Sequence, residues 1–341
     1  VGALRSPPPY FIYIMIDKQK EMKFYEKPFS FSYSSLNKLL FSPSLFYKDY
    51  ILGDREIKTD KYLIEGKLVH CLIFEPENLK EKFKIVPGKT PTDNVRKVLQ
   101  NLTLYTDSDT IKGIEDELIL DSLKEFNLYQ SLKADESRIA KIKVDDYEPY
   151  WEFLSNSNVD VIDQDTLAKC TDYAEIIKSN KDVTDLFAGQ QTDFDLDPIQ
   201  TYAEQPLECG LKDKPFGLKG IIDFYKVDDD EKLVTVCDLK TTSKSLSDFK
   251  ETIDYYNYWL QAAIYCKLVF ENLDESQQDY NFIYKFVVID SQKQVYVFDV
   301  SPETLSIWTQ GLEETIKIAE YHYSKREYTL PYEFLVEKVI L

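Results

Sequence analysis

Lys219-Gly220-Ile221-Ile222-Asp223-Phe224-Tyr225-Lys226-Val227, an acidic turn at Asp228-Asp229-Asp230, then Lys232-Leu233-Val234-Thr235-Val236-Cys237-Asp238-Leu239-Lys240-Thr241-Thr242: this stretch decides the fold. Both runs are rich in β-branched and aromatic residues and flank a polar turn, which predicts a β-hairpin. Side chains alternate faces along a strand, so Asp238 and Lys240 share a face with Val234 and Val236, while Thr235, Cys237 and Leu239 take the other. A core strand has no use for a carboxylate and an ammonium at the end of its apolar face. Hairpin pairing can set Asp223, 15 positions before Asp238, beside them. Two carboxylates and a lysine suit metal-assisted phosphodiester hydrolysis. Mg²⁺ or Mn²⁺ takes carboxylate, water and phosphate oxygens and lowers the pKa of bound water, and a lysine can orient or deprotonate that water and stabilise developing charge. Since D-x-K alone is also an ordinary surface ion pair, the surrounding sequence has to decide.

Downstream, residues 252–273 read as one long helix. Residues 281–289 and 294–300 read as a second strand pair around Asp290-Ser291, and a final helix opens at Ser301-Pro302-Glu303 and runs to about Ser324. Strand, strand, helix, strand, strand, helix predicts an α/β fold with a central mixed sheet flanked by helices. On the long helix Gln261 and Tyr265 share one face with Tyr258, while Trp259, Ala263, Cys266 and Phe270 line another.

Upstream, residues 29–53 read as a short helix opened by Ser34 or Ser35, a turn at Ser42-Pro43-Ser44 and a second helix. Residues 62–74 have helical periodicity that stops at Glu75-Pro76, and residues 83–87 predict a short strand. From about 90 to 195 the chain is acidic with mostly helical periodicity, including 111–132 and 166–178. The sequence changes character after Asp197. Five segments result: an N-terminal extension (1–28), the N-terminal helices of the catalytic domain (29–90), a largely helical insertion or subdomain (91–195), the catalytic core (196–330) and a C-terminal tail (331–341). Residues 1–14, with Pro7-Pro8-Pro9, are left outside the fold, and Met15 and Met22 are candidate starts.

The net charge of −19 excludes loose coating of nucleic acid, though a local basic groove or bound cations can still receive phosphate. With 43% hydrophobic residues, 25 tyrosines and 20 phenylalanines, the chain has material for a large aromatic core. Five scattered cysteines without a CxxC pair exclude the usual zinc-ribbon and iron–sulfur spacings and read as free thiols in a reducing cytoplasm. No apolar run reaches the ~20 residues of a membrane helix, so no membrane partner is expected. Of the two histidines, His322 has no companions and reads as a surface residue.

The Asp223…Asp238-Leu239-Lys240 pattern resembles the PD-(D/E)XK nuclease superfamily. Gln261 and Tyr265 stand at the Q-x-x-x-Y spacing of its RecB-type branch, and Gly66-Lys67-Leu68-Val69-His70 is similar to that family's G-x-x-x-H helix. Glycine within a helix costs ~1 kcal/mol relative to alanine, so Gly66 suggests a close approach one turn before His70. The nearest likeness is to the exonuclease VIII (RecE-like) group, through Leu72-Ile73-Phe74-Glu75-Pro76-Glu77 and Phe83-Lys84-Ile85-Val86-Pro87, with Ser32-Tyr33-Ser34-Ser35-Leu36 like the serine-containing opening helix. The resemblance covers roughly residues 30–90 and 200–300. It implies a restriction-endonuclease-like core in which His70, Asp223, Asp238 and the Leu239 carbonyl hold metal, and Asp223, Asp238 and Lys240 are catalytic. Gln261, Tyr265 and Gly66 would support the site or the nucleic-acid path. Glu204 is a candidate extra acidic residue, with Glu208 as its rival, and Lys212, Lys214, Lys219, Lys244 and Lys250 are candidate phosphate contacts.

These observations lead to the expectation of a Mg²⁺- or Mn²⁺-dependent deoxyribonuclease, an exonuclease acting on linear duplex DNA in recombination or DNA processing of a phage or bacterium. The resemblance also allows a homo-oligomer and a recombination partner protein. Two alternatives remain: a structure-specific endonuclease, and a DNA-binding or assembly protein that keeps the fold without catalysis.

Overall fold

The computed structural model describes residues 9–55, 60–86, 90–155, 159–188, 199–337 and 339, the side chains of 9–16 and 155 excepted. Pro87, Asp195 and Asp197, used above as boundaries, lie outside them. Two units form: Val1–Glu56 with Phe187–Val288 and Tyr296–Leu341, and Ile57–Leu186 with Ile289–Val295. The chain opens in the first with α1 (Pro9–Phe24), β1 (Phe29–Phe31), α2 (Tyr33–Phe41) and α3 (Pro43–Phe46). It builds the second from α4 (Lys61–Phe74), α5 (Leu79–Lys82), β2 (Phe83–Val86), α6 (Asp93–Leu102), α7 (Asp116–Glu125), α8 (Asp135–Ile139), α9 (Glu148–Ser155), β3 (Asp160–Asp163), α10 (Gln164–Ser179) and α11 (Lys181–Phe187). The return to the first unit supplies β4 (Ile199–Gly210), β5 (Phe216–Asp228), β6 (Leu233–Thr241), α12 (Phe249–Tyr256), α13 (Tyr258–Glu271), β7 (Asn281–Ile289), β8 (Val295–Val300), α14 (Pro302–Lys325) and α15 (Tyr332–Val336).

The first unit is the expected mixed sheet flanked by helices. Its six strands run β1-β5-β6-β7-β8, with β4 also on β5. β1 is parallel to β5, while β4 and β6 are antiparallel to it. β4 covers one edge of β5 along most of its length, from Gly217 to Asp228. β1 pairs with residues 216–218 and β6 with 224–228, so these two share the opposite edge. Among the described residues that edge therefore has no strand partner at 219–223, and β5 is open there where its sequence turns to Asp223. Apolar alternation buries Phe216, Leu218 and Ile222 of β5, Val234 and Val236 of β6, and Tyr284, Phe286 and Val288 of β7, against Leu260, Ile264 and Leu268 of α13 and Leu312 of α14.

The second unit centres on the parallel pair β2–β3, Phe83 opposite Asp160 and Val86 opposite Asp163. Its core gathers Val95, Val98, Leu99 and Leu102 of α6 with Ile119, Leu123 and Trp151. The α6 spacing is that of one helix face, and each such fully buried side chain contributes ~1.5–3 kcal/mol. Asp163 caps α10, its carboxylate accepting the Thr166 amide at 2.7 Å.

Several expectations are corrected. The helix predicted over 252–273 is two helices, because Asn257 adopts a left-handed conformation (φ +57) that asparagine tolerates and a helix cannot contain. The helix predicted over 111–132 shrinks to α7, stopped by left-handed Asn127 and Tyr129 (φ +54 each). The cap of α2 is Ser32, whose hydroxyl accepts the Ser35 amide while the Ser35 hydroxyl takes the Ser32 amide. Residues 9–14, left outside the fold, lie in α1. His322 is 1% exposed, not a surface residue. The strands β1, β3 and β4 had no counterpart in the sequence reading.

Candidate active site

The β5–β6 ladder stops at Phe224 opposite Cys237, and one further step of the same register brings Asp223 level with Asp238. There the ladder gives way to a side chain: Asp223 Oδ2 accepts the Leu239 amide at 2.8 Å. Both carboxylates are buried, Asp238 at 0% exposure. Lys240 Nζ lies 2.5 Å from Asp238 Oδ2 and donates to Gln261 Oε1 at 3.0 Å. Gln261 Nε2 donates in turn to Asp238 Oδ1 at 2.9 Å and to the Tyr265 hydroxyl oxygen at 2.8 Å. Gln261 and Tyr265 are four residues apart on α13, so they meet on one face. The Lys240 ammonium also sits 4.6 Å over the ring of Tyr258.

This burial has electrostatic consequences. Desolvation works against the Lys240 charge, but Asp238, and Asp223 beyond it, more than offset that and hold its pKa above the ordinary lysine range. Lys240 is therefore an ammonium at neutral pH, a donor rather than an acceptor. Burial pushes the Tyr265 hydroxyl well up, and Asp223 and Asp238 push it further, so it stays protonated. Tyr284, fully buried on β7, is raised by burial and then by Asp238. Its hydroxyl has no hydrogen-bond partner among the described residues.

Glu204 lies on β4 at the same level. Ala203 pairs with Phe224 and Gln205 with Ile222, so the register sets Glu204 opposite Asp223. Carboxylate oxygens of the two come within 4.8 Å. Glu204 has φ +46, a left-handed conformation that costs a non-glycine residue ~1–3 kcal/mol and persists only where surrounding structure imposes it. Its rival Glu208 is opposite Lys219, about 13 Å further along the strand at ~3.3 Å per residue. Glu208 instead accepts the Ser30 hydroxyl.

His70 belongs to the second unit, half-buried on α4, its ring edge-on to Phe74 with centroids 6.0 Å apart. Gly66 is half-buried one turn earlier. Of the five lysines, Lys214 is paired with Glu320 at 2.6 Å. Lys219 lies over the Phe29 ring at 5.8 Å and Lys244 over the Tyr255 ring at 5.2 Å. Lys212 and Lys250 are exposed.

A cavity of 560 Å³ lies over β5 at Lys219, Gly220 and Ile221 and over Pro206, Leu207 and Glu208 of β4. Ser32, Tyr33 and Ser34 line it from the start of α2, and Gln261 and Tyr265 from α13. Gln261, which binds Asp238 and Lys240, thus also walls, with Tyr265, a groove large enough for a nucleotide. The donor set suits a hard divalent cation. Three carboxylates, those of half-buried Glu204 and of buried Asp223 and Asp238, stand against one ammonium, a donor set that a divalent cation balances. The described residues show no disulfide, all five cysteines being free. None of their helices is long and apolar enough to cross a membrane.

A mixed sheet in which Asp223 of β5 stands level with Asp238 of β6, with a lysine two residues beyond the second, defines a nuclease core. The chain belongs to the PD-(D/E)XK nuclease superfamily, whose family model matches residues 30–329. Nucleases of this superfamily generally use divalent metals, and their fold implies a nucleic-acid substrate. A similar solved structure is a protein from Eubacterium rectale described as a "Putative exonuclease", with 10% identity and a TM-score of 0.47, covering 100% of this chain and 96% of that one. No curated protein matches the chain.

Proposed function

We propose that the chain is a Mg²⁺- or Mn²⁺-dependent deoxyribonuclease of the RecB-type branch, near the exonuclease VIII group, that degrades linear duplex DNA from its ends. The observation that carries this reading is the closed network of Asp238, Lys240, Gln261 and Tyr265, with Asp223 and Glu204 facing each other beside it. Glu204, Asp223, Asp238 and the Leu239 carbonyl would hold the metal, joined by His70 on the strength of the G-x-x-x-H motif. When bound, the cation supplies Lewis-acid charge at the scissile phosphate and a strong nucleophile at neutral pH.

The chain's own residues set the geometry. The Leu239 amide fixes the Asp223 carboxylate, and Gln261 fixes both Asp238 and Lys240. Held as an ammonium, Lys240 donates to the oxygen on which charge develops and orients the attacking water. The cavity beside Gln261 leads the strand to this point.

The test is cleavage of end-labelled linear duplex DNA beside a covalently closed circle, with Mg²⁺, Mn²⁺ or chelator, for the native protein and Lys240→Ala. Loss of the linear DNA alone, abolished by chelator and by Lys240→Ala, is the expected result. Cutting of the circle makes the protein an endonuclease, and no cleavage under any condition refutes the enzymatic reading.

A further inference from the structure

Beyond Lys240 the aromatic contacts do not stop at Tyr258. The Tyr258 ring is stacked with that of Tyr256 (centroids 5.5 Å, interplanar angle 24°), and Tyr256 meets Tyr255 edge to face at 4.8 Å. The Lys244 ammonium lies 5.2 Å over Tyr255. A continuous ladder therefore runs from one lysine to another by way of three tyrosines. Its outer rungs face solvent: Tyr255 is 74% exposed and Tyr256 43%. A single exposed tyrosine is ordinary. Three in contact, with one end on the candidate catalytic lysine, need a reason.

The backbone that presents them is built for the purpose. Tyr255 and Tyr256 are the last residues of α12, and the left-handed Asn257 turns the chain before Tyr258 opens α13. This turn is held from α2 as well as locally. Tyr33 and Asn37 both donate to the Tyr256 carbonyl. Asn257 donates to Asn37 Oδ1 at 2.8 Å and accepts from the Trp259 indole at 2.9 Å. A regular helix through 257 would keep the hydrogen bonds of the backbone without this clamp, and would point the two rings elsewhere.

We infer that Tyr255 and Tyr256 are a stacking platform for unpaired nucleobases, so that a single-stranded segment of the substrate passes over them on its way to or from Lys240. This rests on the nuclease reading of the site and adds the form in which the strand is held. Every base has a π-face, so ring stacking grips a strand of any sequence. In a duplex those faces are covered by neighbouring bases, and only an unpaired stretch offers them. The charge of the chain points the same way. At −19 the molecule is poorly suited to phosphate contacts over a wide surface, and Glu251 and Asp254 flank the platform. Stacking does not depend on overall charge, and Lys244 puts positive charge at its outer end.

The experiment is equilibrium binding, in chelator so that nothing is cut, of a short single-stranded deoxyoligonucleotide carrying 2-aminopurine, with the same sequence as a blunt duplex beside it. The native protein quenches the 2-aminopurine of the single strand on binding. The double variant Tyr255→Ala/Tyr256→Ala binds it about tenfold or more weakly, the loss expected from one to two missing stacking contacts. Tyr255→Phe/Tyr256→Phe keeps the rings and the affinity. The single variant Tyr255→Ala, at the most exposed rung, guards against a folding defect and shows part of the loss with native thermal unfolding. Unchanged affinity of the double alanine variant, absence of quenching, or a phenylalanine variant as weak as the alanine one overturns the inference. Its fate is separable from that of the enzymatic reading. A protein that binds through the rings but cleaves nothing sinks only the nuclease proposal, and one that cleaves DNA with native single-strand affinity after both rings are removed sinks only this one.

Discussion

Replacing Lys240 by methionine removes a charge while keeping most of the side-chain volume, so its effect can be worked from the pair it breaks. Asp238 is 0% exposed and the Lys240 side chain 15%, with 2.5 Å between Nζ and Oδ2. Removing one partner of a buried ion pair costs about 3–5 kcal/mol, because the remaining charge is left without compensation. The Gln261 Oε1 atom loses its donor as well, worth ~1 kcal/mol. At roughly 2–4 °C per kcal/mol for a unit of this size, unfolding of the first unit should fall by about 10 °C or more in chelator. The pH dependence follows from the raised lysine pKa. The pair's contribution is complete below the unfolded lysine pKa and is lost only as pH rises through the higher folded value, so the deficit is constant around neutrality. A divalent cation binds the folded state alone and restores positive charge beside Asp238. The variant should therefore regain more stability from Mg²⁺ than the native protein does. Cleavage should still fall by about 10²–10³-fold, the cost of losing a preorganised donor at developing charge. Differential scanning calorimetry with and without Mg²⁺ checks the first part and single-turnover kinetics the second. A chelator-state midpoint within a degree or two of native (under ~1 kcal/mol) refutes the assignment of Lys240 as the counter-charge of Asp238.

Gln261→Leu takes the bridging amide from Asp238, Lys240 and Tyr265. It should lower kcat by about 10–100-fold with little change in KM, as for other residues that orient metal ligands, and steady-state kinetics on linear DNA measures the split. Glu204→Gly should hold or raise the thermal midpoint, since glycine adopts φ +46 without strain, while cleavage falls; lower stability together with full activity would contradict the role given to that strand distortion. Asp163→Ala removes the cap of α10 and the acceptor of both Thr90 donors, costing about 2 kcal/mol in denaturant unfolding. Burial raises the Asp163 carboxyl pKa, but these hydrogen bonds outweigh it and hold it low. The loss should therefore be full above the unfolded carboxylate pKa and vanish as pH falls through the folded one. Burial depresses the His322 pKa below 6.5, so the unfolded chain takes up a proton there that the folded one refuses. The native midpoint should fall as pH drops below 6.5, and His322→Phe should flatten that slope.

The hairpin was legible because β5 and β6 alternate and because Asp238 and Lys240 interrupt the alternation on one face. The meeting of Gln261 and Tyr265 followed from helical spacing. What could not be read has physical causes. β4 is half polar and contains Pro206, which argues against an interior strand, and it is an edge strand of the sheet, where proline is tolerated. With β4 unread, the choice between Glu204 and Glu208 had no basis, since only the register of that strand sets one of them level with Asp223. The break at Asn257 leaves no trace in periodicity, because apolar positions continue through Ile253 and Leu260 and a single left-handed residue is not written in a pattern. His322 does carry a signal in the sequence: it continues the inward row of Leu312, Ile316 and Ala319 on α14. Tyr284 had none, being one of several apolar or aromatic residues on the buried face of β7.

The distortions around Asp223 have one origin. A fully paired β5 would bury Asp223 opposite Asp238 within a continuous ladder, with two like charges in van der Waals reach and no room for a cation or a phosphate. Here the partner on one edge changes from β1 to β6, and residues 219–223 fall in the interval. On the other edge, at the same level, Glu204 leaves β geometry. The ladder is thus loosened on both sides of one residue. Each loosening costs stability, which the core of the same unit has to offset. The return is a carboxylate that can turn to the Leu239 amide on one side and stand opposite Glu204 on the other. A surface ion pair of the D-x-K kind needs none of this, and the two-sided opening of the sheet at Asp223 favours a reactive centre over that ordinary alternative.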